Sequence, residues 1–113
     1  MSNEIIQVER DKRVAVITLN RPERLNAINR EAMHLISLEM KTLESDENVA
    51  VVILRGVGRA FSAGMDLKDD AVADVSGKDA WREVLSKDLE FLTRFWNFPK
   101  PTIAVVHGFC MAA

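Results

Sequence analysis

Val49-Ala50-Val51-Val52-Ile53-Leu54 is the stretch on which the fold turns. It is continuously apolar, short and rich in β-branched side chains, which reads as a strand covered on both faces. Immediately upstream the period is different. From Asn29 onward, Met33, Ile36, Met40 and Leu43 recur at three- and four-residue steps, with Glu31, Glu39, Lys41 and Glu44 on other faces. That spacing predicts an amphipathic helix. Asn29 is placed to accept from an orphan amide as N-cap, Glu31 suits the positive end of the helix dipole, and Ser45-Asp46-Glu47-Asn48 ends the helix.

Further upstream, Ile5-Ile6-Gln7-Val8 and Val14-Ala15-Val16-Ile17-Thr18-Leu19 are two β-branched runs joined by the charged turn Glu9-Arg10-Asp11-Lys12-Arg13, the pattern of an antiparallel hairpin. Pro22 removes a ladder donor and forces Arg21 out of the helical region, so a loop follows the second strand. With the helix and the strand at 49–54, this makes a strand-helix-strand crossover. Downstream, residues 56–73 carry three of the five glycines without periodicity and read as a long loop at the carboxyl end of a strand, where α/β folds place ligands. Trp81, Val84, Leu85, Leu89, Leu92, Phe95 and Trp96 follow the helical period, and Pro99 and Pro101 close that helix before Thr102-Ile103-Ala104-Val105-Val106, a second buried strand. The predicted order is β-β-α-β-α-β in one α/β unit over residues 1–113. His107-Gly108-Phe109-Cys110-Met111-Ala112-Ala113 reads as a strand-to-turn passage leading into a helix.

Composition limits the function classes. The 113 residues are 48% hydrophobic and 28% charged, with 15 Lys+Arg against 17 Asp+Glu and a formal charge of -2. A chain of this size buries roughly two-thirds of its unfolded surface and needs neither disulfide nor metal to hold a core. Basic residues are scattered, so nucleic acid is not an expected partner. No apolar run reaches the roughly 20 residues of a bilayer span. The start Met1-Ser2-Asn3-Glu4 lacks the features of a secretory signal, and a cytoplasmic location is expected.

Several side chains invite chemistry. Arg59-Ala60-Phe61-Ser62-Ala63-Gly64-Met65-Asp66-Leu67 is the most informative stretch: small residues around Gly64 would let backbone approach a ligand, and amides in a cleft can hold an oxyanion, although a glycine after a strand also serves as a simple turn. A dinucleotide fingerprint would need a third glycine where Phe61 stands, and a phosphate loop would need Gly-Lys-Ser/Thr; both are absent. His34 reads as a half-exposed helix residue. His107 and Cys110 could form a thiolate-imidazole pair, but a small buried cysteine is the preferred reading. Two histidines and one cysteine without compact spacing make no metal site. Asp66, Asp69, Asp70 and Asp74 read as a solvated acidic loop, with Asp66 capping a short helix. Arg24, Lys68 and Lys100 could meet ligand phosphates or stay in solvent. Trp81, Phe95 and Trp96 read as packing residues.

Three stretches in register resemble the crotonase superfamily, that of enoyl-CoA hydratases and isomerases. They are Ile17-Thr18-Leu19-Asn20-Arg21-Pro22-Glu23-Arg24-Leu25-Asn26-Ala27-Ile28, then Val52-Ile53-Leu54-Arg55-Gly56 with the Gly64 loop, and Lys100-Pro101-Thr102-Ile103-Ala104-Val105-Val106-His107-Gly108. The resemblance spans essentially the whole chain. It implies a crotonase-type α/β fold of spiralling ββα units, incomplete at its C-terminus, and an acyl-CoA thioester as substrate with no separate cofactor. It also implies two backbone amides that hold the thioester oxygen, matching Met65 and Ala113, with Ala113 where the family more often has glycine. Arg24, Leu25, Ala63, Gly64, Asp66, Leu67 and Lys68 match positions along the coenzyme A moiety.

The family's paired glutamates match nothing in this sequence, so Glu47, Glu83 and Glu90 take no catalytic role. The resemblance therefore implies an N-terminal part of a longer enoyl-CoA hydratase or isomerase, inactive by itself and assembled as a homotrimer or hexamer at full length. Thioester hydrolase, decarboxylase, dehalogenase or ring-forming synthase chemistry would use the same loop, and a non-catalytic acyl-CoA-binding fragment is the reading from another class.

Overall fold

The computed structural model describes residues 4–69 and 75–111. Strands β1 (Ile6–Asp11) and β2 (Val14–Leu19) pair antiparallel in the register Asp11↔Val14, so only Lys12 and Arg13 form the turn. The expected turn is therefore shorter than the charged run, and Glu9, Arg10 and Asp11 are exposed strand residues on the sheet edge. Helix α1 (Arg30–Glu44) returns the chain so that β3 (Val51–Gly56) lies parallel to β2, from Val14↔Val51 to Leu19↔Gly56. β5 (Thr102–Ala104) adds parallel to β3, giving the order β1-β2-β3-β5. Two further short strands, β4 (Ala60–Ser62) and β6 (Phe109–Cys110), pair with each other. Both were hidden from the sequence by their length, and β4 divides what reads as one long loop.

The helical period of 29–44 is realised. Asn29 Oδ1 accepts from the Ala32 amide at 2.8 Å, and Met33, Ile36, Met40 and Leu43 are buried. They pack on the sheet face made by Ala15, Ile17, Leu19 and Val52, joined by Phe91 from α2 (Lys78–Trp96). The opposite face of the sheet is only partly covered: Val51 and Ile53 are half-buried, and β5 is exposed along its whole length. The expectations that residues 49–54 are covered on both faces and that residues 102–106 form a buried strand are thus corrected, because both helices lie on one side and β5 is an edge strand. Trp96 is likewise no packing residue. α2 turns Phe91 inward, with Phe95 edge-on to it at 5.5 Å between ring centroids, and this leaves Trp96 88% exposed.

Lys100 belongs to the scaffold rather than to a ligand site. Its ammonium donates to the Leu43 carbonyl at 2.7 Å and the Asp46 carbonyl at 2.6 Å, adding a charged donor to acceptors that also take the Ser45 and Asp46 amides and the Val49 amide at the end of α1. Lys100→Met should lower stability by about 1–3 kcal/mol, since it removes two hydrogen bonds donated by a charged group. Chemical denaturation checks this, and an unchanged midpoint would refute it.

Candidate functional site

Parallel pairing determines where the site forms. Leu19 and Gly56 sit side by side at the carboxyl edge of the sheet, and Leu54 pairs with Ala104 just below. The chain after β2, the chain after β3 and the chain after β5 therefore leave from one edge. Residues far apart in sequence meet there: the Ala63 amide donates to the Leu25 carbonyl at 2.9 Å, and the Phe61 amide donates to the His107 carbonyl at 2.9 Å.

The turn after β2 is built to stay in place. A 3-10 turn, Pro22–Arg24, begins at proline, and Leu25 and Asn26 then adopt left-handed backbone at φ 51° and 57°. Asn26 is among the residue types that tolerate this conformation. Its side chain is 1% exposed, and its Nδ2 donates to the carbonyls of Val57 and Ala60, each at 2.9 Å, while its Oδ1 accepts from the Arg21 amide at 2.8 Å. Gly56 must be glycine for this knot to close: a Cβ there would stand 2.5 Å from the Phe61 carbonyl and 2.7 Å from Asn26 Nδ2. Asn26 therefore clamps the β3–β4 turn onto the β2 loop. No pattern in the sequence marks it beyond its being an asparagine in a loop.

On this clamp rests the Gly64 loop. Ile28 and Met65 form a parallel bridge in which the Ile28 amide donates to the Gly64 carbonyl at 2.8 Å and the Asp66 amide donates to the Ile28 carbonyl at 2.9 Å. A trans peptide carries its C=O and N–H on opposite sides. With the Gly64 carbonyl aimed at Ile28, the N–H of the same peptide unit, that of Met65, points the other way, and it has no hydrogen-bond partner among the described residues. Gly64 sits at φ 94°, a conformation that glycine adopts readily and side-chain-bearing residues do not. Ile28 was not expected to matter here, because its role is carried by backbone groups.

Asp66 lies behind the loop with its carboxylate 6% exposed. Oδ1 accepts from the Lys68 amide at 2.9 Å, Oδ2 from Arg21 at 3.2 Å, and Arg24 stands 3.7 Å away. The expected capping role is present in reduced form, closing a turn at 67–68 rather than a helix. Burial pushes this carboxyl up, but the Lys68 amide and the Arg21 guanidinium, with Arg24 behind, outweigh it and hold it below the usual aspartate range. A depressed acid stabilises the fold while ionised. The contribution is complete above the unfolded value of about 3.9 and disappears as the pH falls through the lower folded value. Asp66→Asn should therefore flatten the acid limb of the stability–pH curve, and an unaltered curve would refute the assignment.

The other sequence-predicted residues fall as follows. Arg24, Leu25, Ala63, Gly64, Met65, Asp66, Leu67 and Lys68 are brought together at this edge, with Leu67 92% exposed and Lys68 exposed beside it. The Met111 amide donates to the Ser62 carbonyl at 3.0 Å. Ala113 lies outside the described residues, as do Asp70 and Asp74. A cavity of about 250 Å³ opens beside Met65 and Asp66, walled by Met33, Trp81 and Leu85, with the Arg30–Asp88 ion pair at 2.8 Å on its rim. Cys110 is exposed, against the expectation of a buried thiol, because β6 lies on the surface. His107 Nε2 bonds the Gly58 carbonyl at 2.7 Å. Exposed His34 takes no part. No helix among the described residues is long and apolar enough to cross a membrane, and these residues contain no cluster of three or more potential metal ligands.

A mixed sheet whose parallel strands β2, β3 and β5 release their loops at one edge, with a glycine-hinged loop there whose Met65 amide faces away from Ile28 and is unbonded among the described residues, is a crotonase-type α/β arrangement. The family model for enoyl-CoA hydratase/isomerase matches residues 14–113, and the chain belongs to that family. A crystal structure of an enoyl-CoA hydratase/isomerase from Xanthobacter autotrophicus Py2 is 49% identical and superimposes with a TM-score of 0.89, over 96% of this chain and 40% of its own. A probable enoyl-CoA hydratase of Mycobacterium tuberculosis is 36% identical over 98% of this chain and 41% of its own length. The mouse mitochondrial Delta(3,5)-Delta(2,4)-dienoyl-CoA isomerase is 36% identical over 96% of this chain and 36% of its own. The chain thus spans about two-fifths of the length of these relatives.

Proposed function

We propose that this chain carries the acyl-CoA-binding loops and one oxyanion-hole donor of an enoyl-CoA hydratase or isomerase acting on 2-enoyl-CoA or a related thioester. The observation that carries the reading is the Gly64–Met65 peptide, whose carbonyl is tied to Ile28 and whose N–H points to the opposite side without a partner among the described residues. In this reading the thioester oxygen accepts from the Met65 amide, with the Ala113 amide as the second donor. Negative charge that develops on that oxygen meets a donor already aimed, which costs no reorganisation during the reaction. Arg24 and Lys68, exposed beside the loop, supply positive charge for the phosphates of coenzyme A, while Leu25, Ala63 and Leu67 line its path. The relatives support the reading, since they include both a probable enoyl-CoA hydratase and a dienoyl-CoA isomerase. Proton transfer falls to carboxylates that match no residue here. The same reading gives the full-length enzyme a trimeric or hexameric assembly in the cytoplasm, measurable by sedimentation.

The test is made on the full-length enzyme with a short 2-enoyl-CoA labelled at the thioester carbonyl. Turnover, together with a lowered carbonyl stretching frequency on binding, is the expected result. Binding without turnover would move the protein to the non-catalytic acyl-CoA-binding reading, and absence of binding would discard both.

A further inference from the structure

An unanchored glycine samples many conformations, so a catalytic amide that follows one needs the chain gripped on both sides of it. Rotation about the Gly64 backbone is the motion that would swing the Met65 N–H away from its direction. The following peptide is gripped through the Gly64 carbonyl by the Ile28 amide at 2.8 Å. The preceding peptide is gripped through the Gly64 N–H, which donates to Ser62 Oγ at 3.0 Å. Ser62 itself has no freedom: it is 2% exposed, and its hydroxyl donates to the Asn26 carbonyl at 2.9 Å. Spending its single proton on Asn26 turns the oxygen lone pairs toward Gly64. Asn26 is in turn locked by its three side-chain hydrogen bonds. Of the two grips on Gly64, only Ser62 is a side chain.

We infer that Ser62 is a positioning residue for the oxyanion donor, holding the Gly64 hinge so that the Met65 amide stays aimed at the thioester oxygen. The inference rests on the acyl-CoA reading above. It assigns a role in the reaction to a side chain that meets no substrate and that, judged by burial alone, belongs to the core.

The test compares wild type, Ser62→Ala and Ser62→Thr in the full-length enzyme. Ser62→Ala adds no volume, and its thermal midpoint reports that it folds. Its kcat should fall about tenfold with KM within about twofold, the size of loss expected when a reacting group is slightly misdirected. The frequency shift of the bound thioester carbonyl should shrink in parallel, while affinity for a CoA thioether, which lacks the carbonyl, stays unchanged. Ser62→Thr keeps the hydroxyl and should recover both kcat and the carbonyl shift. A Ser62→Ala enzyme with wild-type kcat and carbonyl shift overturns the inference. So does one in which kcat, KM and thioether affinity worsen together, because that is the signature of general loosening. A wild-type enzyme that leaves 2-enoyl-CoA untouched overturns the underlying reading and this inference with it, and is recognised without any substitution.

Discussion

Gly64→Val in the full-length enzyme should lower kcat/KM for a short 2-enoyl-CoA by about 100- to 1000-fold, the loss typical of removing one oxyanion donor. At φ 94° a β-branched side chain is a genuine outlier, and the strain amounts to about 1–3 kcal/mol. The chain relieves it by rotating the Gly64–Met65 peptide, which breaks the bond from the Ile28 amide and turns the Met65 N–H out of line. Gly64→Ala suffers the same torsional penalty with less crowding and should fall between the two. Steady-state kinetics decide the matter alongside a melting curve: activity equal to wild type in a folded Gly64→Val enzyme would mean that the Met65 amide does no chemistry.

The largest effect on stability belongs to Asn26. Asn26→Ala removes a buried side chain that serves the Arg21 amide and the Val57 and Ala60 carbonyls. The bond to the Ala60 carbonyl is buried and those to the Val57 carbonyl and Arg21 amide are partly buried; a buried group left unsatisfied costs about 1–3 kcal/mol, a partly buried one less, and alanine is also a poorer occupant of left-handed backbone than asparagine. The expected loss is about 3–5 kcal/mol, a large part of the 5–15 kcal/mol that holds a typical domain together. Asn26→Asp distinguishes the hydrogen bonds from mere volume. It fills the same space but turns a carboxylate oxygen toward two carbonyls, so it should be nearly as damaging as alanine. Denaturant midpoints measure both, and a loss below about 1 kcal/mol in Asn26→Ala would show that the clamp is dispensable.

Periodicity carried the main elements well. The steps from Met33 through Ile36 and Met40 to Leu43 and the apolar run at 49–54 are local signals; α1 appears where they predict, and β3 runs two residues later, taking in Arg55 and Gly56. The Gly64 loop was also legible, since glycine among small residues after a strand is a local signature of close approach. Local signals failed where burial was concerned. Trp96 and Cys110 are apolar enough to read as buried, yet what covers a residue depends on which elements lie across from it, and α2 and β6 leave both exposed. Lys100 failed for a related reason: its partners are the Leu43 and Asp46 carbonyls at the end of α1, which only the parallel return of the chain brings within reach.

By itself, then, the sequence determined the strand-helix-strand unit, the N-cap at Asn29 and the family through three motifs in register, because each is written in the spacing of neighbouring residues. Only the tertiary structure decided the direction of the Met65 amide. That direction follows from the Gly64 carbonyl meeting the Ile28 amide and from the Ser62 hydroxyl standing between Asn26 and Gly64. A hydrogen bond depends on a distance and an angle in space, and parallel packing of β2 on β3 is what turns residues 26, 28, 62 and 64 from distant positions along the chain into one bonded cluster.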